Sequence, residues 1–345
     1  MSNIVYAIGT ESNKYFTTSR LISSQDGLSW TNNDSEIFPV HANPQTLIAT
    51  ETTILAFNSL GEVAKTVTQG QSWQIYQIAA GFLPQSAITV NATYYVCGIY
   101  KYQTATGSFA QWDEVARIYS STDGVVWTME FSHSITNSIF YQIKNNGNDL
   151  YVAGAVNNKI SCWTNASNVW EPMDLGELGP AYGLTINSVA EKIWFSGAGY
   201  ILKFDINTSQ YQINWIANKT IPITNVERKT NIDNINYDLD PSLVATSHLA
   251  IYSTSDGVNW TSFQVPGYYF KDIVWFNNSW IVSAISNQTI VTYWRSTDGK
   301  TWEPQNNQIQ ITGFSAFSQT PPTGIAQLDY SDQDALIWNW WERNI

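Results

Sequence analysis

Cysteine and positive charge are what this chain most lacks. Only two cysteines, Cys97 and Cys162, occur in 345 residues. They lie far apart, which excludes a disulfide framework and leaves a cysteine-based zinc site short of ligands. Both read as small apolar residues on buried strands. Charged residues make up 13% of the chain, and 16 Lys+Arg stand against 28 Asp+Glu, a net charge of −12. A grip on nucleic acid needs clustered cations to neutralise phosphates, and no basic run exists. Anionic membrane surfaces are disfavoured for the same reason. No stretch approaches the apolar length of a transmembrane helix. The start, Met1-Ser2-Asn3-Ile4-Val5-Tyr6, lacks the basic residues and apolar run of a secretory signal, so a cytoplasmic or virion location is expected. The three histidines, His41, His133 and His248, are isolated and show no HExxH spacing, so they read as surface or hydrogen-bonded residues. No glycine-rich phosphate loop precedes a helical pattern. Neither metal nor cofactor is expected.

Aromatic residues, by contrast, are abundant: 16 Trp, 19 Tyr and 14 Phe. So many large apolar side chains with so little charge argue against intrinsic disorder. The tryptophans are also ordered along the chain. Ser24-Gln25-Asp26-Gly27-Leu28-Ser29-Trp30 returns as Ser121-Thr122-Asp123-Gly124-Val125-Val126-Trp127. It returns again as Thr254-Ser255-Asp256-Gly257-Val258-Asn259-Trp260 and as Ser296-Thr297-Asp298-Gly299-Lys300-Thr301-Trp302. Worn copies fill the gaps. Gln69–Trp73 keeps the Gly and the Trp, Thr164–Trp170 keeps the hydroxyl and the Trp, and Asp205–Tyr211 ends on Tyr211. The terminal aromatics at 30, 73, 127, 170, 211, 260 and 302 are spaced 43, 54, 43, 41, 49 and 42 residues apart. That mean, about 45, is the length of a four-stranded propeller blade.

Strand signals within each period agree with this count. Ile88-Thr89-Val90, Asn91-Ala92 and Thr93–Gly98 read as a hairpin with a two-residue turn. Ile273–Phe276, Asn277-Asn278 and Ser279–Ser283 repeat it, and a further β-rich run such as Ala116–Ser120 leads into each box. No segment shows sustained helical periodicity. The expected fold is all-β: one seven-bladed β-propeller over residues 1–345, with four antiparallel strands per blade.

The boxes resemble the Asp-box (BNR) repeats of sialidase-like β-propellers, and the resemblance covers essentially the whole chain. One departure is that the usual box has an extra residue between Asp and Trp, where this chain has Asp-Gly-x-x-Trp. The resemblance implies that each box is the turn joining the third and fourth strands of a blade, on the face away from the usual active site. In such a turn Asp26, Asp123, Asp256 and Asp298 can accept backbone N–H groups and the glycine can take φ > 0. Trp30, Trp127, Trp260 and Trp302 bury area against a neighbouring blade. Their expected role is structural.

Ring closure is expected from terminal strands sharing a blade. The first box Trp is reached after 30 residues, short of a period, while 43 residues follow Trp302. The segment Gly324–Trp340 resembles the repeated hairpin and is expected to supply inner-strand material beside Asn3–Thr10. An excess of about 28 residues over one period, around Gln319–Pro322, is expected to form a loop or an added strand.

Catalytic constellations are sparse. A sialidase on this fold would need three arginines converging on a carboxylate, plus a Tyr with an acidic partner and an Asp. The chain has five arginines: Arg20, Arg117, Arg228, Arg295 and Arg343. Arg20, Arg117 and Arg295 fall on third strands by their distance from a box Trp, away from the axis. A glycosidase needs two carboxylates flanking the scissile bond, and no pair is marked by the sequence, so no catalytic residue is assigned. What remains is a binding surface. The longest loop on the face opposite the boxes, Ile99–Glu114, carries Tyr100, Tyr102, Phe109 and Trp112 among amides and carboxylates. A flat aromatic beside polar groups suits a sugar ring, whose C–H face stacks while its hydroxyls hydrogen-bond. A second insertion, Thr220–Ser242 with Arg228 and Tyr237, reads as a loop that meets a partner.

The expected function is therefore a non-catalytic binding or structural propeller for carbohydrate or a protein surface. Lectins, phage or virion tail components and surface proteins are the contexts the resemblance implies, as a homo-oligomer or within a larger assembly. A carbohydrate-active enzyme with its site over the central channel and an assembly factor for a protein complex are the alternatives.

Overall fold

The computed structural model describes residues 4–319, apart from 13–16, 28, 34–35, 39–41, 106–110, 188–190, 218, 220, 229–241, 287–290 and 306–312. Seven antiparallel sheets are arranged in a ring, and no helix occurs among the described residues. Blades 2 to 7 each run outward from an inner strand: Pro44–Ala49, Phe82–Val90, Ser138–Asn146, Ala181–Asn187, Ile223–Arg228 and Tyr268–Phe276. In blade 1 the inner strand is Gly313–Gln319, which pairs with Val5–Ser12 from the other end of the chain. The expected closing segment Gly324–Trp340 lies outside the described residues. The strand seen in that place, Gly313–Gln319, is the next described strand after Glu303–Gln305, the fourth strand of blade 7. Ile223–Arg228 is likewise regular, so the expected insertion at Thr220–Ser242 is in part the inner strand of blade 6. Tyr237 lies outside the described residues.

Strand side chains alternate between the two sides of a sheet, and in a ring each side meets a different neighbour. Val5 and Ala7 pack towards blade 7, whereas Tyr6 and Ile8 pack towards blade 2. Seven apolar clusters follow, one at each junction of adjacent blades, including blade 7 to blade 1. Burial on both sides explains why the strands read as nearly unbroken apolar runs such as Leu150–Ala153. Cys97 and Cys162 belong to these clusters and are buried. Burial pushes the Cys162 thiol up to about 12, so it stays protonated and inert. Asn91-Ala92 and Asn277-Asn278 take positive φ at both positions, as a two-residue hairpin turn matched to strand twist requires.

Each full box closes the same network. In blade 7 the Ser296 hydroxyl donates to Asp298 Oδ1 at 2.9 Å and accepts the Gly299 N–H at 2.8 Å, while Asp298 Oδ1 accepts the N–H groups of Lys300 and Thr301, both at 2.8 Å. The boxes at Asp26, Asp123 and Asp256 repeat the hydroxyl-to-carboxylate and glycine-to-hydroxyl bonds. The four glycines hold φ between +71° and +75°.

The boxes also lock blade to blade. Preceding-blade side chains hold box carbonyls: Asn277 Nδ2 on Gln25 O at 2.9 Å, Lys65 Nζ on Asp123 O at 2.7 Å, and Asn214 Nδ2 on Gly257 O at 2.9 Å. Trp30 stacks on Tyr293 of blade 7 with ring centroids 4.7 Å apart, and Trp127 meets Phe57 of blade 2 edge-on at 5.7 Å. Trp260 and Trp302 pack into the clusters behind their own blades.

The worn copies differ instructively. In blade 2 the hydroxyl of Thr66 accepts the Gly70 N–H and that of Thr68 accepts the Ser72 N–H. The turn is one residue longer than the full boxes, with Thr68 in the place of the aspartate. Blade 5 keeps Asp205, which accepts the Thr208 N–H at 3.1 Å. Its terminal Tyr211, however, is 43% exposed and does not pack as the tryptophans do.

The box carboxylates titrate low. The Thr301 N–H is the chief cause that pulls Asp298 down to about 2, and the N–H groups of Asn259 and Val126 are the chief causes that lower Asp256 and Asp123 below the usual carboxylate range. A carboxylate whose folded pKa is depressed stabilises the fold above its unfolded pKa of about 3.9 and loses that contribution as pH falls through the folded value. The melting-temperature gap between wild type and D298A is therefore expected to be constant from neutral pH to about 5 and to close between about 4 and 2. Thermal melts across that range check it, and a gap that stays open below that range would contradict it.

Candidate functional site

Antiparallel order places the first-to-second and third-to-fourth turns of every blade, boxes included, on one face of the ring. Second-to-third turns and blade connectors lie on the other. On that second face each inner strand carries one register break against its neighbour. The extra residues are Gln45, Gln85, Tyr141, Tyr182, Thr224, Lys271 and Ser315. A bulge bends the strand and re-aims a side chain, so the mouth of the central channel is ringed by seven such residues.

The partner of the residue before each bulge is small in most blades: Gly9, Gly98, Gly154, Gly197, Ser247 and Ala284, with Asn58 the exception. The inner backbone leans onto this position. A methyl group at Gly98 would stand 2.1 Å from the Leu83 carbonyl oxygen, and one at Gly154 2.3 Å from that of Ile139.

Just inside the mouth a polar chain crosses blades 4 to 7. Gln142 Oε1 accepts the Leu184 N–H of blade 5, and Gln142 Nε2 donates to Asn225 Oδ1 of blade 6 at 3.4 Å. Asn225 Nδ2 donates in turn to Asp272 Oδ1 of blade 7. Gly183 makes the crossing geometrically open, since a Cβ there would meet Gln142 Oε1 at 3.0 Å and the Asn225 backbone at 3.1 Å. Lys144 reaches Glu227 over the same span at 3.4 Å. N225D would set two carboxylates against each other, and like charges at that range push one pKa up. The variant is expected to melt below wild type at pH 7 and to regain part of the loss near pH 5, where one of the pair holds a proton. A deficit that is the same at both values would refute the contact.

The hairpin of blade 3 supplies the other feature. Its strands, Thr93–Ala105 and Gln111–Ser121, are 13 and 11 residues long, against 5 to 8 for the second strands of blades 2, 4, 5, 6 and 7. The expected loop Ile99–Glu114 is thus mostly paired strand that projects beyond the face. Pairing of Trp112 with Gln103, Asp113 with Tyr102, Glu114 with Lys101 and Val115 with Tyr100 assigns the sides. Tyr100 and Tyr102 share the side turned to blade 2, stacked at 6.0 Å, with the Arg117 guanidinium 3.4 Å from the Tyr100 ring centroid. Trp112, 58% exposed, projects on the opposite side, with Glu114 and Lys101 paired at 2.7 Å. Phe109 lies outside the described residues. The structure therefore keeps Tyr100 and Tyr102 together and separates Trp112 from them.

Two residues absent from the sequence-based set adjoin Trp112's side. Tyr141 and Tyr182, at the bulges of blades 4 and 5, bring their rings to 5.1 Å. Burial raises the Tyr141 phenol pKa, with Tyr182 and Glu114 as further causes, and burial alone raises Tyr182. No sequence signal marked them, because a bulge arises only from pairing.

The remaining candidates are structural. Arg20, Arg117 and Arg295 sit on third strands. Arg117 donates to Ser132 and Tyr119, and Arg295 to Ser279. His133 is buried, accepts the Ile135 N–H at Nδ1, and is held below its usual pKa by burial. Among the described residues no three His, Cys, Asp or Glu side chains converge as metal ligands.

No family model matches this sequence, and no curated protein matches it. Solved structures do. A Bacteroides fragilis protein assigned provisionally as a 6-phosphogluconolactonase aligns at TM-score 0.62 and 11% identity, covering 93% of this chain and 98% of its own. YCF48 bound to a D1 peptide aligns at TM-score 0.56 and 12% identity, covering 80% and 88%. YCF48 from Cyanidioschyzon merolae aligns at TM-score 0.53 and 12% identity, covering 79% and 89%. At such identities the likeness is one of fold: this chain is a seven-bladed β-propeller, an architecture that often serves as a scaffold for binding.

Proposed function

We propose that this chain is a non-catalytic binding propeller of the Asp-box (BNR) kind, which recognises carbohydrate through the face opposite its boxes. The observation that carries this reading is the long hairpin of blade 3, which raises an exposed tryptophan and an ion pair above a mouth lined by half-buried tyrosines. The box face supports it by contrast, because its carboxylates are consumed by backbone N–H groups of their own turns. Rigid strands hold a binding surface more exactly in place than loops do. A net charge of −12 argues against nucleic acid as the partner. A lectin-like or tail or surface component fits such a module.

The test is an array of immobilised glycans probed with the purified chain, run beside an assay for released reducing sugar. Binding without release is expected. Release of sugar that one carboxylate substitution abolishes would replace this reading with a glycoside hydrolase, and failure to bind any glycan would remove carbohydrate as the partner.

A further inference from the structure

Glycan recognition at the hairpin admits two sides, and the geometry separates them. Cys97 and Ile118, further down the side that carries Trp112, belong to the apolar cluster between blades 3 and 4, together with Phe140 and Ile143. That side is therefore turned towards blade 4. Val96 and Tyr119, on the side of Tyr100 and Tyr102, pack towards blade 2 instead. There the Tyr100 ring is already occupied by Arg117 and stacked on Tyr102.

Moving down the hairpin, the side facing blade 4 presents Trp112, then the Glu114–Lys101 pair about 7 Å further along the strand, and then the Tyr141–Tyr182 pair of blades 4 and 5. Burial, then Tyr182 and then Glu114 raise the Tyr141 phenol, so the Glu114 carboxylate acts on this pair of rings. Three blades thus contribute to one row in which aromatic rings flank a carboxylate and an ammonium.

We propose that this row is a subsite for an uncharged pyranose: Trp112 stacks on the C–H face of the sugar, while Glu114, Lys101 and the phenol of Tyr141 hydrogen-bond its hydroxyls. This rests on the carbohydrate reading above and narrows it. Neutrality of the ligand follows from charge. Glu114 and Lys101 compensate each other at 2.7 Å, so the row offers no net cation, and a chain at −12 repels an anionic sugar. An adjacent carboxylate and ammonium also suit neighbouring hydroxyls, one as acceptor and the other as donor.

The experiment uses the full chain on an array that holds hexose-terminated, N-acetylhexosamine-terminated and sialylated glycans. The neutral glycan bound most tightly is then titrated against W112A, E114Q, Y102A and Y211A. Trp112 and Tyr211 are both exposed, so truncating either leaves the core intact, and melting curves with W112F as a second variant verify this. W112A is expected to weaken binding about tenfold or more, as removal of a stacking platform does. E114Q is expected to weaken it severalfold and Y211A, on the box face, to change nothing. Unaltered binding by both W112A and E114Q overturns the subsite while leaving a glycan-binding propeller. Loss confined to Y102A moves the site to the other side of the hairpin, and binding of sialylated glycans alone overturns the claim of neutrality. An array with no glycan bound overturns the subsite and the carbohydrate reading together.

Discussion

Trp30→Ala is expected to destabilise the propeller by about 3–5 kcal/mol, the range for removing a large buried aromatic. Trp30 is 9% exposed and lies among Ile22, Phe276, Ile281 and the stacked ring of Tyr293. All but Ile22 of those partners belong to blade 7, so the loss falls on the junction between blade 7 and the N-terminal strands of blade 1. The same junction depends on Asn277 holding the carbonyl of Gln25 and on a tight fit at Gly27, where a Cβ would come within 2.5 Å of Ile281. Within blade 1 itself the ring is closed by strand pairing, Gly313–Gln319 against Val5–Ser12. Tyr211→Ala, at the corresponding place in blade 5, is expected to cost less than about 1 kcal/mol because the ring is largely in water. Denaturant melts of the two variants decide the matter: comparable midpoints would show that Trp30 does not fasten the junction.

Gly98→Ala is the second substitution with a large expected effect, about 3 kcal/mol, at the upper end for an overpacked interior. Its φ is not what demands glycine. The added methyl would meet the Leu83 carbonyl oxygen at 2.1 Å, the Leu83 carbonyl carbon at 3.0 Å and the Pro84 Cα at 3.1 Å, all of them backbone atoms. A side chain could swing aside, whereas the inner strand could yield only by giving up its bulge at Gln85. Gly147→Ala supplies the contrast. That glycine has φ +58° and nothing within 4 Å of a new Cβ, so only the left-handed penalty of about 1–2 kcal/mol applies. Equal losses for the two would mean that close approach at the bulge is not the controlling term.

Both effects bear on how much of the molecule can be read from its residues in order. A box is legible because its bonds are made within one short segment: hydroxyl, carboxylate, glycine and three N–H groups lie within seven residues, and each type has one suitable position. The same locality made the turn in blade 2 harder to read, since Thr68 replaces a carboxylate with a hydroxyl and adds a residue. The two-residue turns at Asn91 and Asn277 were legible for the same reason. The bulges were not. They consist of a mismatch between two strands, and nothing in Phe140-Tyr141-Gln142 says that one residue of the three will go unpaired. Their trace in the sequence is indirect, in small residues such as Gly98, Gly154 and Gly197 at the ends of apolar runs.

The candidate site divides along the same line. Composition and spacing singled out the aromatic stretch from Tyr100 to Trp112. Alternation along a strand could assign sides only once the register of Trp112 with Gln103 was known, and that separated Trp112 from Tyr100 and Tyr102. Tyr141 and Tyr182 lie 41 residues apart in sequence and meet through the packing of blades 4 and 5.

By itself the sequence determined the number of blades, the chemistry of the box turns and the all-β character of the described residues, because each depends on contacts among near neighbours repeated along the chain. Tertiary structure alone decided which side of the hairpin faces blade 4 and which faces blade 2, where the inner strands bulge, and that Gln142 reaches past Gly183 to blade 6. These depend on register and on the approach of distant backbone, which no local pattern encodes.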